Sequence, residues 1–239
     1  MKGIYVHVPF CKSKCTYCDF ASYPNMEGRI ESYFACLYRE IEARGRALKG
    51  KVFDTIYIGG GTPSFVDSKF IVGVIRQIKK FFKLSSNPEI TIEINPGTID
   101  EQKVKDYKSV GINRFSIGLQ TGYDDQLKAL NRIHTAKDFV VATKLLKGAN
   151  ISADVLIGLE NQTFEQVEKT IDIAISCGVK HLSVYALTPE MGTPIYTKYL
   201  NGELPSDDET AEIYEKTVEY LKTKDYYRYE VSNFAKDGY

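Results

Sequence analysis

Gly3-Ile4-Tyr5-Val6-His7-Val8-Pro9-Phe10-Cys11-Lys12-Ser13-Lys14-Cys15-Thr16-Tyr17-Cys18 is an apolar, alternating run that stops at a proline and opens into a loop carrying three cysteines. The alternation from Ile4 to Val8 predicts a β-strand, which puts the cysteines just beyond its C-terminal end. Three thiolates can hold three corners of a cubane iron–sulfur cluster and leave its fourth iron without a protein ligand. Structural clusters and structural zinc sites are usually closed by a fourth protein ligand. The remaining cysteines, Cys36 and Cys177, fall in segments that read as helix. An open, reactive iron is therefore the leading reading. The alternative is zinc completed by His7 or Cys36, but zinc motifs favour paired C-x-x-C units, and His7 lies in a strand whose side chains alternate in direction.

Outward from this loop, strand-like runs rich in Ile and Val occur at 3–8, 52–58, 89–94, 112–118, 151–157 and 180–187. Between them, 31–44, 67–82 and 163–176 place apolar residues at helical spacing, as in Phe70, Val74, Ile75, Ile78 and Phe82. A helix at about 207–223 and a last strand-like run, Tyr226 to Val231, follow. Repeated strand–helix alternation predicts a parallel sheet with its helices outside. Cys11, Gly59 to Pro63, Glu93, Gln120 and Asp154 fall at or just beyond the C-terminal ends of successive strands. Ligands gather at that end both in barrels and in doubly wound sheets, so periodicity leaves the two open.

With 239 residues the chain is long enough for one large α/β domain, and a hydrophobic content of 43% supports a real core. Lys plus Arg and Asp plus Glu are equal at 31 each, without a long run of one sign. Nucleic acid is thus not an expected partner. The chain shows no apolar signal core and no transmembrane segment. Five cysteines, three of them clustered, suit a reducing compartment better than a disulfide framework. The expectation is a cytoplasmic protein, peripheral to the membrane at most.

The interruptions of the apolar runs are the candidate site residues. Gly59-Gly60-Gly61-Thr62-Pro63 removes three Cβ atoms where a ligand or another chain must come close, and does not match a dinucleotide fingerprint or a P-loop. Glu93 interrupts Ile90-Thr91-Ile92-Glu93-Ile94, where a carboxylate is costly without a cation or donors. Gln120 ends Phe115-Ser116-Ile117-Gly118-Leu119, and its amide both donates and accepts. Arg114, earlier on that strand, could anchor a buried network. Asp154 interrupts Ile151-Ser152-Ala153-Asp154-Val155-Leu156-Ile157. Arg132 offers either a carboxylate fork or a surface salt bridge. Tyr5 and Tyr17 are either ligand contacts or core, and His7 is at least as readily a satisfied barrel residue.

The C-x-x-x-C-x-x-C run with an aromatic before its last cysteine resembles the signature of the radical S-adenosylmethionine (SAM) enzymes. Tyr5-Val6-His7-Val8-Pro9-Phe10-Cys11, Gly59-Gly60-Gly61-Thr62-Pro63 and Asp154-Val155-Leu156-Ile157-Gly158-Leu159 narrow the resemblance to the oxygen-independent coproporphyrinogen oxidase group, over essentially the whole chain. That resemblance implies a partial (β/α)6 barrel. It implies one [4Fe-4S] cluster on Cys11, Cys15 and Cys18, whose open iron binds the amino and carboxylate groups of SAM. An electron from the cluster then splits the sulfonium bond to give methionine and a 5′-deoxyadenosyl radical. Contacts to SAM are implied for Tyr5, Tyr17, Gly61, Thr62, Glu93, Gln120, Arg132, Asp154 and Ala186. Where the group usually has proline after Gly-Leu, this chain has Glu160.

The decarboxylating members resemble C-x-x-x-C-x-x-C-x-C, whereas here Asp19-Phe20 follows Cys18. The Cys-x-Phe form and the segment Tyr229-Glu230-Val231-Ser232-Asn233-Phe234-Ala235 resemble the haem chaperone branch. It implies haem as bound cargo, a haem-accepting respiratory protein as partner, and an electron donor such as flavodoxin or ferredoxin. The competing readings are an oxidative decarboxylase acting on two propionates and a non-catalytic iron–sulfur and SAM binding module. The chain is expected to be a radical SAM core over 1–239, with a further C-terminal domain in the full-length protein.

Overall fold

The computed structural model describes residues 1–239. In chain order the elements are β1 (Gly3–Val8), β2 (Phe10–Cys11), β3 (Tyr23–Pro24), α1 (Ile30–Ala47), β4 (Val52–Gly60), α2 (Ser68–Phe81), β5 (Lys83–Ile94), α3 (Glu101–Ser109), β6 (Arg114–Gln120), α4 (Asp124–Ala129) and α5 (Ala136–Leu145). There follow β7 (Asn150–Ile157), α6 (Phe164–Ser176), β8 (His181–Ala186), α7 (Pro194–Leu200), α8 (Asp207–Thr223), β9 (Tyr227–Arg228) and β10 (Asn233–Ala235). The main sheet runs β1-β4-β5-β6-β7-β8-β10-β9, parallel from β1 to β8 and antiparallel at the last two pairings.

This order separates the two architectures that periodicity leaves open. A doubly wound sheet reverses its strand order at a switch point. Here the large strands follow one another in sequence without reversal, as in a barrel, and the first and last strands do not pair with each other. The sheet is a partial barrel.

Alternation along each strand sorts the two faces. Ile56, Ile58, Ile90, Ile92, Phe115, Ile117, Ala153, Val155, Leu182 and Val184 turn outward and are buried with Ile71, Val74, Ile75 and Ile78 of α2 in one continuous core. The other face is polar. Register aligns Glu93 with Ser116, Ser116 with Ser152, and Ser152 with His181; one row further, Gly118 meets Asp154, Asp154 meets Ser183, and Ser183 meets Asn233. A parallel sheet is commonly apolar on both faces, so a polar concave face marks a surface made for a ligand. Helix starts follow local chemistry. Thr135 with Asp138 and Ser206 with Glu209 form capping boxes on α5 and α8.

Two expected boundaries need correction. The run Tyr226 to Val231 is not one strand: only Tyr227 and Arg228 pair, and the chain turns to bring Asn233–Ala235 back between β9 and β8. Glu230 causes the turn, since its Oε2 accepts from Ser232 N–H at 3.1 Å and from Asn233 Nδ2 at 2.6 Å. Such local bonds compete with the ladder. β5 begins at Lys83 rather than near 89, with a register irregularity between Phe53 and Thr55.

Candidate functional site

At the C-terminal ends of the parallel strands lies an open cavity whose empty space, mouth included, is about 870 Å³. Its walls include Cys11, Cys15, Cys18, Tyr17, Phe20, Gly61, Thr62, Glu93, Gln120, Arg132 and Asp154. Sequence positions from 11 to 154 are thus gathered onto one surface.

The three thiols share that surface with donors aimed at sulfur. Thr62 Oγ1 lies 3.6 Å from Cys11 Sγ, Arg132 Nη1 lies 3.5 Å from Cys15 Sγ, and Ser22 Oγ is 3.9 Å from Cys18 Sγ. Burial pushes the Cys11 thiol upward, an effect a metal reverses by taking the thiolate. Donors to ligating sulfur stabilise charge on a cluster and tune its potential. Nowhere do three His, Cys, Asp or Glu side chains converge as ligands of a single ion. Soft thiols with N–H and O–H groups beside them are the kind of donor set that iron–sulfur clusters take. Cys36 is exposed on α1 and Cys177 caps α6, outside the cavity lining.

Each glycine of the triad has a distinct neighbour. A Cβ at Gly59 would lie 2.9 Å from the Glu93 carboxylate, one at Gly60 2.6 Å from the His7 ring, and one at Gly61 2.8 Å from the Phe10 carbonyl. The triad lets β4 press against β5, β1 and the cysteine loop at once. Gly60 also has φ of 119°. Glu93 accepts from the Tyr57 hydroxyl at 2.7 Å and from Gly60 N–H at 3.1 Å. Burial still pushes the Glu93 carboxyl above its ordinary range.

Across the cavity the groups are less settled. Gln120 has φ of 68° where β6 slips register against β7 between Gly118 and Gln120. A non-glycine residue held in the left-handed region at a bulge is strain of the kind found at ligand sites. Burial and the Glu93 carboxylate push Asp154 up to about 7, while Ser116 Oγ donates to it only at 3.4 Å. Arg132 donates through Nη2 to the Gly118 carbonyl at 3.0 Å, and its buried Nε has no acceptor. A Cβ at Gly118 would come within 2.7 Å of Nη2, so that glycine makes room for the guanidinium. A cationic donor, an amide and a carboxyl facing one space can hold an amino acid moiety and sugar hydroxyls.

Two expected residues lie outside this lining. Tyr5 is 59% exposed, stacks on Tyr57 with centroids 6.2 Å apart, and shares a hydrogen bond of 3.0 Å with His7 Nδ1. Ala186 ends β8 in a separate depression with Leu187 and Thr210. His7 is satisfied, since Nε2 meets the Ala21 carbonyl at 2.8 Å. Arg114 pairs at 3.1 Å with the exposed Glu89 carboxylate, and its buried Nε has no acceptor, so it anchors no buried network. The residues reached only through the fold are Tyr57, Gly118, Asn131 and Ser183. Tyr57, between Ile56 and Ile58, was open to discovery as an inward position in an alternating strand.

A family model described as the radical SAM superfamily matches residues 5–174. The heme chaperone HemW of Buchnera aphidicola subsp. Schizaphis graminum is 38% identical over 240 residues, which cover 99% of this chain and 63% of that protein. HemW of Bacillus subtilis is 34% identical over 244 residues, covering 100% of this chain and 64% of its own length. The mitochondrial radical S-adenosyl methionine domain-containing protein 1 of Danio rerio is 32% identical, with 99% and 54% covered. Among solved structures, coproporphyrinogen III oxidase (HemN) from Escherichia coli superposes with a TM-score of 0.89 at 22% identity, over 100% of this chain and 56% of that one. The partial barrel is the shared fold. The chain spans less than two thirds of the length of each of these proteins.

Proposed function

The chain belongs to the radical SAM superfamily, and from that premise we propose that it holds a [4Fe-4S] cluster on Cys11, Cys15 and Cys18, binds SAM beside it, and carries haem as a haem chaperone. When bound, the pair supplies one-electron cleavage of a sulfonium. The protein's own part is placement. Thr62 and Arg132 donate toward the Cys11 and Cys15 sulfurs, and Ser22 Oγ lies beside that of Cys18. In this reading the Gly61–Thr62 backbone and Glu93 receive the amino group of SAM, and Arg132 receives its carboxylate. Gln120 and Asp154 meet its ribose, while Tyr17, packed against Leu130, Leu156 and Leu159, shields the cavity from water.

The observation that carries the chaperone reading is Phe20. It lines the same cavity as the three cysteines and is 67% exposed, so a phenyl ring stands where the decarboxylating pattern has a thiol. The cavity's lining cations are Lys14 and Arg132, and Lys14 is spent on the Phe20 and Ser22 carbonyls at 2.8 and 3.2 Å. That is sparse provision for a substrate with four carboxylates. The HemW-named relatives support the same reading. An electron donor such as flavodoxin or ferredoxin and a haem-accepting respiratory protein belong to the proposal.

The test is a paired assay on chain reconstituted anaerobically with iron and sulfide. It should retain a four-iron cluster by Mössbauer spectroscopy, lose it on Cys15→Ser, bind haem on titration, and leave coproporphyrinogen III unchanged by mass spectrometry. Protoporphyrinogen IX with stoichiometric carbon dioxide would overturn the chaperone assignment; zinc without retained iron would overturn the cluster.

A further inference from the structure

The cysteine loop is held less by its own strand than by a segment more than a hundred residues later. From the last residue of α4 into the loop before α5, the chain offers a series of groups to the cysteine loop. Asn131 Nδ2 donates to the Lys14 carbonyl at 2.8 Å, and the Asn131 carbonyl accepts from Ser13 Oγ at 3.3 Å. Thr16 N–H donates to the Leu130 carbonyl at 3.1 Å, and Thr16 Oγ1 to the Ala129 carbonyl at 3.3 Å. The next residue, Arg132, reaches Cys15 Sγ. Within the loop itself, Cys18 N–H to the Cys15 carbonyl at 3.2 Å is the only backbone bond joining two residues of the stretch 11–18. Asn131 adopts φ of 57°, a conformation that asparagine tolerates better than most residues and that aims both its amide and its carbonyl at the loop.

We propose that Ala129–Arg132 is a clasp that sets the shape of the cysteine loop, with Asn131 as its positioning residue. The clasp explains why Arg132 belongs to both halves of the site: one guanidinium contacts Cys15 and the Gly118 carbonyl, so movement of the clasp is movement of the sulfur. Its role in holding a cluster rests on the radical SAM reading; its grip on the loop does not.

Asn131→Gly keeps the positive φ and removes only the side-chain bond. Asn131→Asp keeps the shape and sets an acceptor against the Lys14 carbonyl. In metal-free protein, alkylation of Cys15 by iodoacetamide, followed by peptide mass spectrometry, should quicken by about threefold to tenfold in both variants, the scale of one lost hydrogen bond. Thermal midpoints should stay near that of the parent. In reconstituted protein, the same variants should lose iron to a chelator faster by a similar factor. Thr16→Val, which removes a different bond of the clasp, should show a smaller acceleration. Parent-like alkylation in all three variants would overturn the clasp. A parent protein that retains no iron, together with faster alkylation in the variants, would leave the clasp standing and reject the cluster.

Discussion

On the β1–β4–β5 side of the cavity, Glu93 accepts from Tyr57 and Gly60, and His7 sits between Tyr5 and the Ala21 carbonyl. On the β6–β7 side, Arg132 Nε has no acceptor, Gln120 is strained, and Asp154 is half-buried near a second carboxyl. The first side has completed its hydrogen bonds within the fold; the second keeps a buried donor without an acceptor and a carboxyl with one long hydrogen bond. The difference teaches that similar interruptions of apolar strands serve two ends. Substitutions on the first side should cost stability, and those on the second should cost affinity while sparing or raising stability.

The largest effect expected is on the settled side. Gly60→Ala forces a Cβ into the His7 ring at a φ of 119° and should destabilise by about 3 kcal/mol in urea unfolding. A loss under about 1 kcal/mol would show that this side yields easily and would blur the contrast.

Asp154→Asn probes the other side. A half-buried acid with its folded pKa raised to about 7 contributes its stability fully below the unfolded value of 3.8, and that contribution is lost as pH rises through 7. Metal-free Asp154→Asn should therefore match the parent near pH 4 and exceed it by about 1–3 kcal/mol at pH 8. Its SAM affinity in the reconstituted protein should fall by about tenfold, measured by anaerobic calorimetry. A destabilised Asp154→Asn at pH 8 would place Asp154 among the structural groups and erase the distinction.

Tyr57→Phe removes one donor from Glu93 and should cost about 1 kcal/mol, with SAM affinity less affected than by Asp154→Asn. An effect of similar size concerns the floor of the concave face, where His181 joins Ser152 at 2.9 Å to Tyr229 at 2.8 Å. Burial, with Arg114 nearby, lowers its pKa to about 4. Neutral His181 thus adds stability above 6.5 that is lost as pH falls through 4. His181→Gln should flatten the acid side of the stability profile by about 1 kcal/mol. An unchanged profile would remove this floor from the settled groups.

Much of this was legible in the sequence, for identifiable reasons. Strands such as Ile90 to Ile94 alternate strongly, and a polar residue in an apolar run announces itself by its cost, so Glu93 and Asp154 stood out. The run Tyr226 to Val231 misled because tyrosine and valine favour strands, while the turn depends on one Glu230 side chain. Asn131 was hidden because nothing in its neighbours reveals that a loop from the N-terminal strand will lie across it. Tyr5 showed its aromatic character but not its direction, which depends on Tyr57 of the adjacent strand.

The strand order has a temporal meaning. Each large strand lies beside its predecessor, so strand–helix units can dock in chain order as the chain lengthens. The cysteine loop is the exception. Its strand comes first, yet its grip arrives with residues 129–132, and Ile195 N–H closes on the Thr16 carbonyl at 3.0 Å only after the start of α7 exists. Before that point the three thiols have no fixed arrangement. The topology thereby makes a shaped cysteine loop the sign of a nearly finished barrel.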